Sequence, residues 1–559
     1  MSETDPQEST ARRAKPNASR RRRVVVSTVC LAVAATAFSA GPAVADAGDA
    51  QTPPTPSNTA QLPSPDQSTR AATPDPAVDV NLSLEPRAGL AKKISWRKCQ
   101  LPDLNRVQCG RYAVPQDYSK PNGPKFKLKV WRLKALPKKQ RGGNPIKGSL
   151  FANPGGPGYS GVNLLYGLTE FRKRFHVVTW APRGVSKSKP LLRDCPADPN
   201  TTFSSDFPLT GPFTWQQMAK VKLNLSGPSN AFCFGNSARL VTKIGTNNVV
   251  RDLDALRAAV GDSALTYLGY SYGTRIGRLY AQTYPNRVRA MVLDGVVDPT
   301  ETMEDFAVLG SKGGKASFGY TKRAMTKGEF RAYKNVDAAL QSDSGPGLNR
   351  FIWWQFALNA GNDPEIFDQL TLASCQLAAQ LNVPGCSGVT ATKRSLSGAL
   401  RKLKKEQRRL TRESALTQLI NCVDLRGRPS PAKIGQYLDG AVKTNLAGQV
   451  GRINGLTYGS TCLGTPLPPD PVPALPNGLR MPHPPLLVNG KGDASTPYIG
   501  AKRTHKHITG SRLITVNTSR HGIFRGKQRT SACIVKPVMK YLTSQRLPAK
   551  NKYCKRAYR

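Results

Sequence analysis

The stretch that decides the fold is Leu265-Thr-Tyr-Leu-Gly-Tyr-Ser-Tyr-Gly-Thr274, in which an apolar run leads into a Gly269-x-Ser271-x-Gly273 turn. The two glycines leave no side chain where the backbone crowds itself, so the chain can turn sharply and project the Ser271 hydroxyl from the edge of a sheet. A five-residue motif occurs easily by chance in a chain with 49 glycines, and an ordinary serine in a glycine-bounded turn is the alternative. The flanking sequence must therefore show which of the two interpretations of Ser271 holds.

The sequence on both sides of this turn has the periodicity of alternating helices and strands. Apolar residues of 248–261 recur on one helical face, and Gly261 stands where a helix stops. After the turn, 274–284 predicts a helix that ends before Pro285, and the apolar run 288–293 predicts the next strand. This order is that of a doubly wound, mostly parallel α/β sheet, in which active sites gather at the carboxyl ends of the strands.

The first 45 residues have the three regions of a secretory signal peptide. Basic residues cluster between Arg12 and Arg23, an apolar stretch follows over 24–38, and Ala43-Val-Ala45 fits a cleavage site. A membrane anchor is the alternative, but the apolar stretch is short and diluted with Ser, Thr and Ala; Arg22-Arg23 would also suit twin-arginine export. Residues 46–90, rich in Pro, Ser, Thr and Ala, predict a disordered linker. We expect a protein that is secreted or associated with the cell wall, with no stable membrane span once the signal is removed.

The chain is strongly basic, with 82 Lys and Arg against 35 Asp and Glu and a formal net charge of +47. So strong a field favours polyanionic surroundings, and an anionic cell-wall polymer is one candidate partner. A solvated basic surface without a specific partner is the simpler interpretation. No zinc-finger spacing, aromatic RNA-binding motif or heptad with a basic arm is present, so we expect no specific nucleic-acid partner.

Ten cysteines remain once the signal peptide with Cys30 is removed, and an even number in an exported chain indicates disulfides. The spacing does not fix their connectivity. In chain order they form five neighbouring pairs: Cys99 and Cys109, Cys195 and Cys233, Cys375 and Cys386, Cys422 and Cys462, and Cys533 and Cys554. No C-x-x-C occurs and no two histidines have ligand spacing beside them, so we expect no metal site and no cofactor.

The candidate base for Ser271 is His521. A serine nucleophile needs a base held by a carboxylate, and in chains with this turn the acid and then the base follow the serine on loops after strands. His521 follows the predicted strand 512–516. The other histidines precede the serine, precede a strand or fall in a predicted surface helix: His176, His483, His505 and His507.

The candidate acid is Asp493, the only carboxylate side chain between Asp470 and the C-terminus. It stands in a glycine-rich loop after the apolar run 486–488, at the end of a predicted strand. An Asx-turn before Pro497 is the alternative. Because this segment is rich in Lys and Arg, an imidazolium at His521 would be disfavoured without a carboxylate beside it.

The loop that follows the apolar strand 148–152 is suited to an oxyanion hole. Its sequence is Asn153-Pro-Gly-Gly-Pro-Gly-Tyr-Ser-Gly161, and its glycines let backbone N–H groups reach a substrate oxygen. We expect the N–H of Tyr272, just after the nucleophile, to be the second donor. The loop lacks the Gly-Lys-Ser/Thr ending of a phosphate-binding loop.

With these residues in place, the chain resembles the secreted tripeptidyl aminopeptidases of actinobacteria, relatives of the proline iminopeptidases within the α/β-hydrolase fold. The resemblance covers most of the chain after residue 90. It is carried by Ile94-Ser-Trp-Arg-Lys-Cys99, Val114-Pro-Gln-Asp-Tyr118, the 153–161 loop, Pro182-Arg-Gly184, Gly269-Tyr-Ser-Tyr-Gly-Thr274, Leu293-Asp-Gly-Val-Val-Asp-Pro299, Gly490-Lys-Gly-Asp493, Thr496-Pro497, His521-Gly522 and the tail from Cys533 to Cys554.

The resemblance implies an α/β-hydrolase core with a mostly helical cap inserted before the triad acid. It implies Ser271, Asp493 and His521 as the catalytic triad, with the amides of Gly156 and Tyr272 as the oxyanion hole. In these terms the chain divides into the signal peptide (1–45), the linker (46–90), the N-terminal part of the core (91–299), the cap (300–475) and the C-terminal part of the core (476–559).

The same resemblance implies a peptide substrate, cut near its N-terminus through an acyl-enzyme on Ser271. The cap would hold the acidic groups that bind the peptide N-terminus, with these candidates: Glu301, Glu304, Asp305 and Asp424. The cap is the least similar part, and Arg520 stands where the family usually has Gly before the catalytic histidine. The alternatives are an esterase or amidase for small or lipidic acyl groups, and a basic protein that binds cell-wall polymer or another polyanion and has an inactive hydrolase fold.

Overall fold

A sheet of ten strands organises the part of the chain that the computed structural model describes. That part is 93–185, 188–190, 213–236, 238–340, 350–361, 364–387, 416–526 and 529–558, so the predicted signal peptide and linker lie outside it. The strands are β1 Arg97–Lys98, β2 Val107–Pro115, β3 Lys125–Leu133, β4 Ser149–Asn153, β5 His176–Ala181, β6 Leu265–Tyr270, β7 Val288–Asp294, β8 Leu486–Gly490, β9 Arg512–Val516 and β10 Lys552–Cys554.

The order of these strands across the sheet is β1-β2-β3-β5-β4-β6-β7-β8-β9-β10. From β5 to β10 all neighbours are parallel, whereas β1, β2, β3 and β5 pair antiparallel. Every residue of β4 and β6 is buried, as expected of central parallel strands covered on both faces. The predicted α/β-hydrolase fold with a mostly parallel sheet is confirmed, and the Ser271 turn follows its central strand.

The helices cover the two faces of the sheet and form a separate layer above its carboxyl edge. They are α1 Leu164–Gly167, α2 Trp215–Asn236, α3 Ala238–Val241, α4 Thr246–Ala259, α5 Tyr272–Thr283, α6 Met303–Ala324, α7 Lys327–Ala339, α8 Arg350–Ala360, α9 Pro364–Gln380, α10 (described over 416–424), α11 Pro431–Ala441, α12 Leu446–Gly459, α13 Tyr498–His507 and α14 Ala532–Ser544. The helices predicted on either side of the serine turn are α4 and α5.

Helices α6 to α12 lie between β7 and β8 in the chain, and all of them except α10 share a hydrophobic core of their own, which includes Trp353 and Trp354. Helices α6 and α12 approach closely because Gly455 faces α6: a Cβ there would lie 2.6 Å from the Ala307 carbonyl oxygen. We propose on this basis that 300–475 is the cap, between core segments 91–299 and 476–559.

Helix α2 adds a part to the cap that the sequence did not predict. It precedes the nucleophile, within 91–299, yet it packs on α11 and α12. A Cβ on Gly435 of α11 would lie 2.9 Å from the Gln216 backbone nitrogen, and Trp215 and Met218 join the cap core. The cap therefore draws on two stretches of chain that are remote in sequence.

Three of the five cysteine pairs are disulfide-bonded: Cys375–Cys386, Cys422–Cys462 and Cys533–Cys554. The Cys99–Cys109 pairing is corrected, because both are thiols, joined by a hydrogen bond. Cys109 is in register with Arg97, so Cys99 is its diagonal neighbour, and diagonal positions are farther apart than a disulfide usually spans. The pairing of Cys233 with Cys195 is not tested, because Cys195 lies outside the described residues.

Neither a metal site nor a membrane-spanning helix occurs in the ranges given above. Within them, no three or more His, Cys, Asp or Glu side chains form a group that could hold a metal ion. No helix there combines the length and apolar character needed to cross a bilayer.

Candidate active site

Ser271 occupies the turn between β6 and α5, with backbone angles of φ 54° and ψ −124°. A positive φ is uncommon for a residue other than glycine and is typical of functional sites that hold the backbone under strain. A Cβ on Gly273 would lie 2.9 Å from the Asn153 carbonyl oxygen, and a Cβ on Gly269 would collide with the Gly273 carbonyl. Both positions thus require glycine, which is the physical basis of the motif.

His521 and Asp493 form a close pair. His521 Nδ1 lies 2.9 Å from Asp493 Oδ2 and 3.2 Å from Oδ1. Asp493 is buried, and its carboxylate also accepts hydrogen bonds from the Ser495 and Thr496 backbone N–H groups, at 2.9 and 3.0 Å. A carboxylate held this way favours the tautomer with the proton on Nδ1, which leaves Nε2 free to act as a base.

The electrostatic surroundings of His521 favour its protonated form. Burial lowers the pKa of this imidazole, but the charge and hydrogen bond of Asp493 and the charge of Asp294 outweigh burial and raise it, while Arg525 opposes them. The net result is a pKa above the ordinary value. The imidazolium that forms when a base accepts a proton is therefore stabilised by the surrounding carboxylates.

The backbone brings the serine turn and the histidine together around β7. The Ser271 N–H donates to the Asp294 carbonyl oxygen at 2.9 Å. A Cβ on the next residue, Gly295, would lie 3.1 Å from His521 Cε1. The hydrogen bonds found in the described part of the chain include none from the Ser271 hydroxyl to His521; in free enzymes this contact is often long and shortens when substrate binds.

Asp294 is a functional residue that reasoning from the sequence did not identify. It ends β7, is fully buried, and accepts hydrogen bonds from the N–H groups of Ile523 (2.9 Å) and Phe524 (2.6 Å). Burial raises its pKa to about 6, although these N–H groups lower it. It thus fixes the loop that carries His521. The available signal was its place at the carboxyl end of a central strand, where catalytic groups gather.

The 153–161 loop lies directly against the nucleophile. A Cβ on Gly155 would be 2.7 Å from Ser271 Cβ and 3.2 Å from the Tyr272 backbone nitrogen. The Gly155 N–H donates to Asn153 Oδ1 at 2.9 Å, whereas within the described residues no hydrogen bond uses the Gly156 N–H. Gly156 and Tyr272 both line a cavity with Ser271. We therefore propose the amides of these two residues as the oxyanion hole.

The cavity beside Ser271 extends under the cap. Its apolar wall consists of Val297, Phe306, Leu309 and Tyr458. Asp298 and Asp305 also line it, and both carboxylates pair with Arg503, at 3.1 and 2.8 Å. Arg275 also lines the cavity, where its guanidinium pairs with the buried Glu301 and Asp424.

The three substrate-binding candidates Glu301, Glu304 and Asp424 are corrected, because none of them lines this cavity. Glu301 is fully buried and pairs with Arg275 at 2.8 Å and Arg278 at 3.0 Å. A buried carboxylate needs such partners, which leave no place for a ligand.

Asp424 and Glu304 have different surroundings. Asp424 is fully buried and accepts hydrogen bonds from the Thr246 backbone N–H and hydroxyl, at 2.8 and 2.6 Å. Glu304 is exposed on α6. Of the four acidic candidates named from the sequence, only Asp305 faces the cavity.

Arg520 does not act in the cavity either. Its guanidinium lies 5.0 Å from the centre of the Tyr558 ring. It lines neither the Ser271 cavity nor the groove beside His521. The departure from the usual Gly before the histidine therefore adds no cation to these two clefts.

The fold, the serine at its sharp turn and the histidine paired to a buried carboxylate define a serine hydrolase of the α/β-hydrolase class. The α/β hydrolase fold family matches residues 149–317, and the TAP-like protein family matches residues 453–554. The chain is therefore similar to the tripeptidyl aminopeptidase-like family of α/β-hydrolase serine peptidases.

Three relatives illustrate this similarity. Serine protease Hip1 of Mycobacterium tuberculosis is 28% identical over 501 residues, which cover 84% of this chain and 92% of the relative. Tripeptidyl aminopeptidase of Streptomyces lividans is 27% identical over 500 residues, 82% of this chain and 86% of the relative. Carboxylesterase B of M. tuberculosis is 28% identical over 242 residues, 38% of this chain and 43% of the relative.

Proposed function

We propose that the protein is an aminopeptidase that releases residues or short peptides from free peptide N-termini, with Ser271, Asp493 and His521 as its triad. His521 takes the proton of the Ser271 hydroxyl as its oxygen bonds to the substrate carbonyl carbon, and the amides of Gly156 and Tyr272 face the resulting oxyanion. The C–N bond then breaks as the imidazolium gives its proton to the leaving amine. Water, activated by His521, hydrolyses the acyl-enzyme and restores the serine.

The observation that carries the aminopeptidase proposal is a carboxylate on the cavity wall. The α-ammonium of a peptide is a cation, and the Asp305 carboxylate lines the cavity beside Ser271. Arg503 lowers the pKa of Asp305, although burial acts against it, so this carboxylate is ionised at neutral pH. The names of the serine protease and aminopeptidase relatives support a peptide substrate.

A second candidate is an esterase or amidase for apolar acyl groups. The wall of Val297, Phe306, Leu309 and Tyr458 would suit such a substrate, and one relative is a carboxylesterase. The two candidates differ in what they require of the substrate, because only the aminopeptidase needs a free ammonium group.

We further propose that the protein is exported. Disulfides persist in oxidising compartments, so the three that the structure contains support this location. Removal of 1–45 would leave a net charge of about +43, which suits association with an anionic cell-wall polymer.

The test compares matched substrates and variants. Peptidyl substrates with a free α-amine, the same peptides N-acetylated, and simple esters are assayed with the wild type, Asp305→Asn and Glu304→Gln. We expect a clear preference for the free amine, which Asp305→Asn weakens through a higher KM. Glu304→Gln is the control, because Glu304 neighbours Asp305 but lies outside the cavity. Equal rates on free and acetylated peptides would refute the aminopeptidase and, with high ester rates, would favour the esterase.

A further inference from the structure

The active site opens on two different clefts. Ser271, Gly156 and Tyr272 line the cavity under the cap. His521 instead lines a larger and open cleft, which we call the outer groove. Its lining includes Asn163, Tyr166, Glu170, His521, Arg525 and Arg529.

The chemistry of acyl transfer assigns the two halves of a substrate to these clefts. The acyl half stays bonded to the serine, next to the oxyanion donors, and so occupies the cavity under the cap. The leaving group receives its proton from the histidine, so it lies on the histidine side. The outer groove is the cleft on that side.

The charged side chains of the outer groove favour an anion. Arg525 and Arg529 are both exposed, and Glu170 is the one carboxylate among the described lining residues. The Arg525 guanidinium donates to the carbonyl oxygens of Gly522 (3.2 Å) and His521 (3.5 Å), so it is held close to the catalytic histidine. A guanidinium pairs well with a carboxylate because its planar fork matches the two oxygens.

We infer that the outer groove binds the leaving half of the substrate and selects leaving groups that carry a carboxylate. This inference rests on the proposed acyl-enzyme mechanism at Ser271. The carboxylate has two sources: an acidic side chain close to the new N-terminus, or the terminal carboxylate of a short leaving peptide. Tyr166, whose side chain is 41% exposed in this groove, offers an aromatic surface for the rest of the leaving peptide.

The experiment uses the full protein and one fixed acyl part with a free N-terminus. Four leaving groups are compared: Ala-amide, Asp-amide, Lys-amide and Ala with a free carboxylate. We expect kcat/KM to be highest for the two carboxylate-bearing groups and lowest for Lys-amide, with the differences reduced by salt. Asp-amide against free-carboxylate Ala separates the two sources.

Variants of the two arginines test whether the groove carries this preference. We expect Arg525→Gln and Arg529→Gln each to reduce the ratio of kcat/KM for carboxylate over neutral leaving groups by about 2- to 5-fold, the scale of one exposed charge pair. Because the ratio compares two substrates on one enzyme, a change at His521 itself cancels. Arg520→Gln is the matched control. It removes an equal charge from the residue next to His521, but the Arg520 guanidinium lies over the Tyr558 ring and outside the groove.

An unchanged ratio in both groove variants, or an equal effect of Arg520→Gln, would overturn the inference. The same comparison is also made with esters whose alcohol either carries or lacks a carboxylate. It distinguishes failure of the groove assignment from failure of the proposed peptidase activity. Carboxylate preference on esters alone would keep the groove assignment and reject the peptide substrate.

Discussion

Asp294 Oδ2 lies 2.6 Å from the Phe524 backbone nitrogen and accepts its hydrogen bond. This contact joins the end of a central strand to the loop of the candidate base. The carbonyl oxygen of the same Asp294 accepts the N–H of Ser271. One buried residue therefore fixes both the backbone of the nucleophile Ser271 and the loop that carries His521.

We expect Asp294→Asn to change how stability depends on pH. Burial raises the Asp294 pKa to about 6, against about 3.9 in an unfolded chain. The folded state therefore keeps a proton that the unfolded state has lost, so this contribution to stability is complete below pH ~4 and is lost as pH rises through about 6. The shift corresponds to about 3 kcal/mol. Urea unfolding of both proteins from pH 4 to 7 measures the difference, and parallel curves would contradict the assignment.

We expect Ser271→Ala to abolish hydrolysis while the protein stays folded. Loss of the nucleophile typically reduces kcat by about 10³-fold or more. Steady-state kinetics measure the loss, and labelling of the wild type by a fluorophosphonate probe identifies the reacting residue. Circular dichroism and the Tm of the variant are the controls. If the wild type resists the probe, yet binds cell-wall polymer in a salt-sensitive way, the protein is a binding protein with an inactive fold.

The pH profile should reveal the charges around His521. Its imidazole must be neutral to accept a proton, so kcat/KM rises with pH through the pKa of His521, which Asp493 and Asp294 raise and Arg525 lowers. Arg525→Gln removes the lowering charge, so we expect the acid limb of the profile to move to higher pH. Arg520→Gln should leave the limb in place. A shift to lower pH in Arg525→Gln would show that another group controls this limb.

The Cys422–Cys462 disulfide should contribute to both stability and activity. It closes a loop with a separation of 40 residues, and loss of such a bridge typically costs about 2–4 kcal/mol. It holds α10, whose Asn421 lines the cavity beside Ser271. We expect Cys422→Ala with Cys462→Ala to lower the Tm and raise KM. The comparison is the double variant Cys375→Ala with Cys386→Ala. It removes a disulfide that closes a separation of 11 residues and should raise KM less.

The core and the catalytic candidates were accessible to sequence reasoning because local patterns specify them. The run 265–270 is apolar and β-prone, and Gly269 is required by its contact with the nearby Gly273 carbonyl. Asp493 followed by elimination, since it is the only carboxylate side chain after Asp470, and His521 followed from its place after the predicted strand 512–516.

The packing of the cap and the positions of its charged side chains could not be predicted in the same way, because they depend on contacts between residues that are far apart in the sequence. Glu301 and Asp305 look equivalent in the sequence. One is buried against Arg275 and Arg278, and the other faces the cavity with Arg503. The register of β1 on β2 separates Cys99 from Cys109 by one diagonal step, which spacing alone does not reveal.

Helix α2 limits how this enzyme can be redesigned. It belongs to the cap by packing, yet it enters the chain before the nucleophile. A graft that exchanges 300–475 for the corresponding segment of a relative would leave Trp215 and Met218 facing foreign helices. Exchanging specificity between homologues would then require replacement of both 300–475 and α2, and chimeras that exchange 300–475 alone should pack poorly where α2 meets α11 and α12.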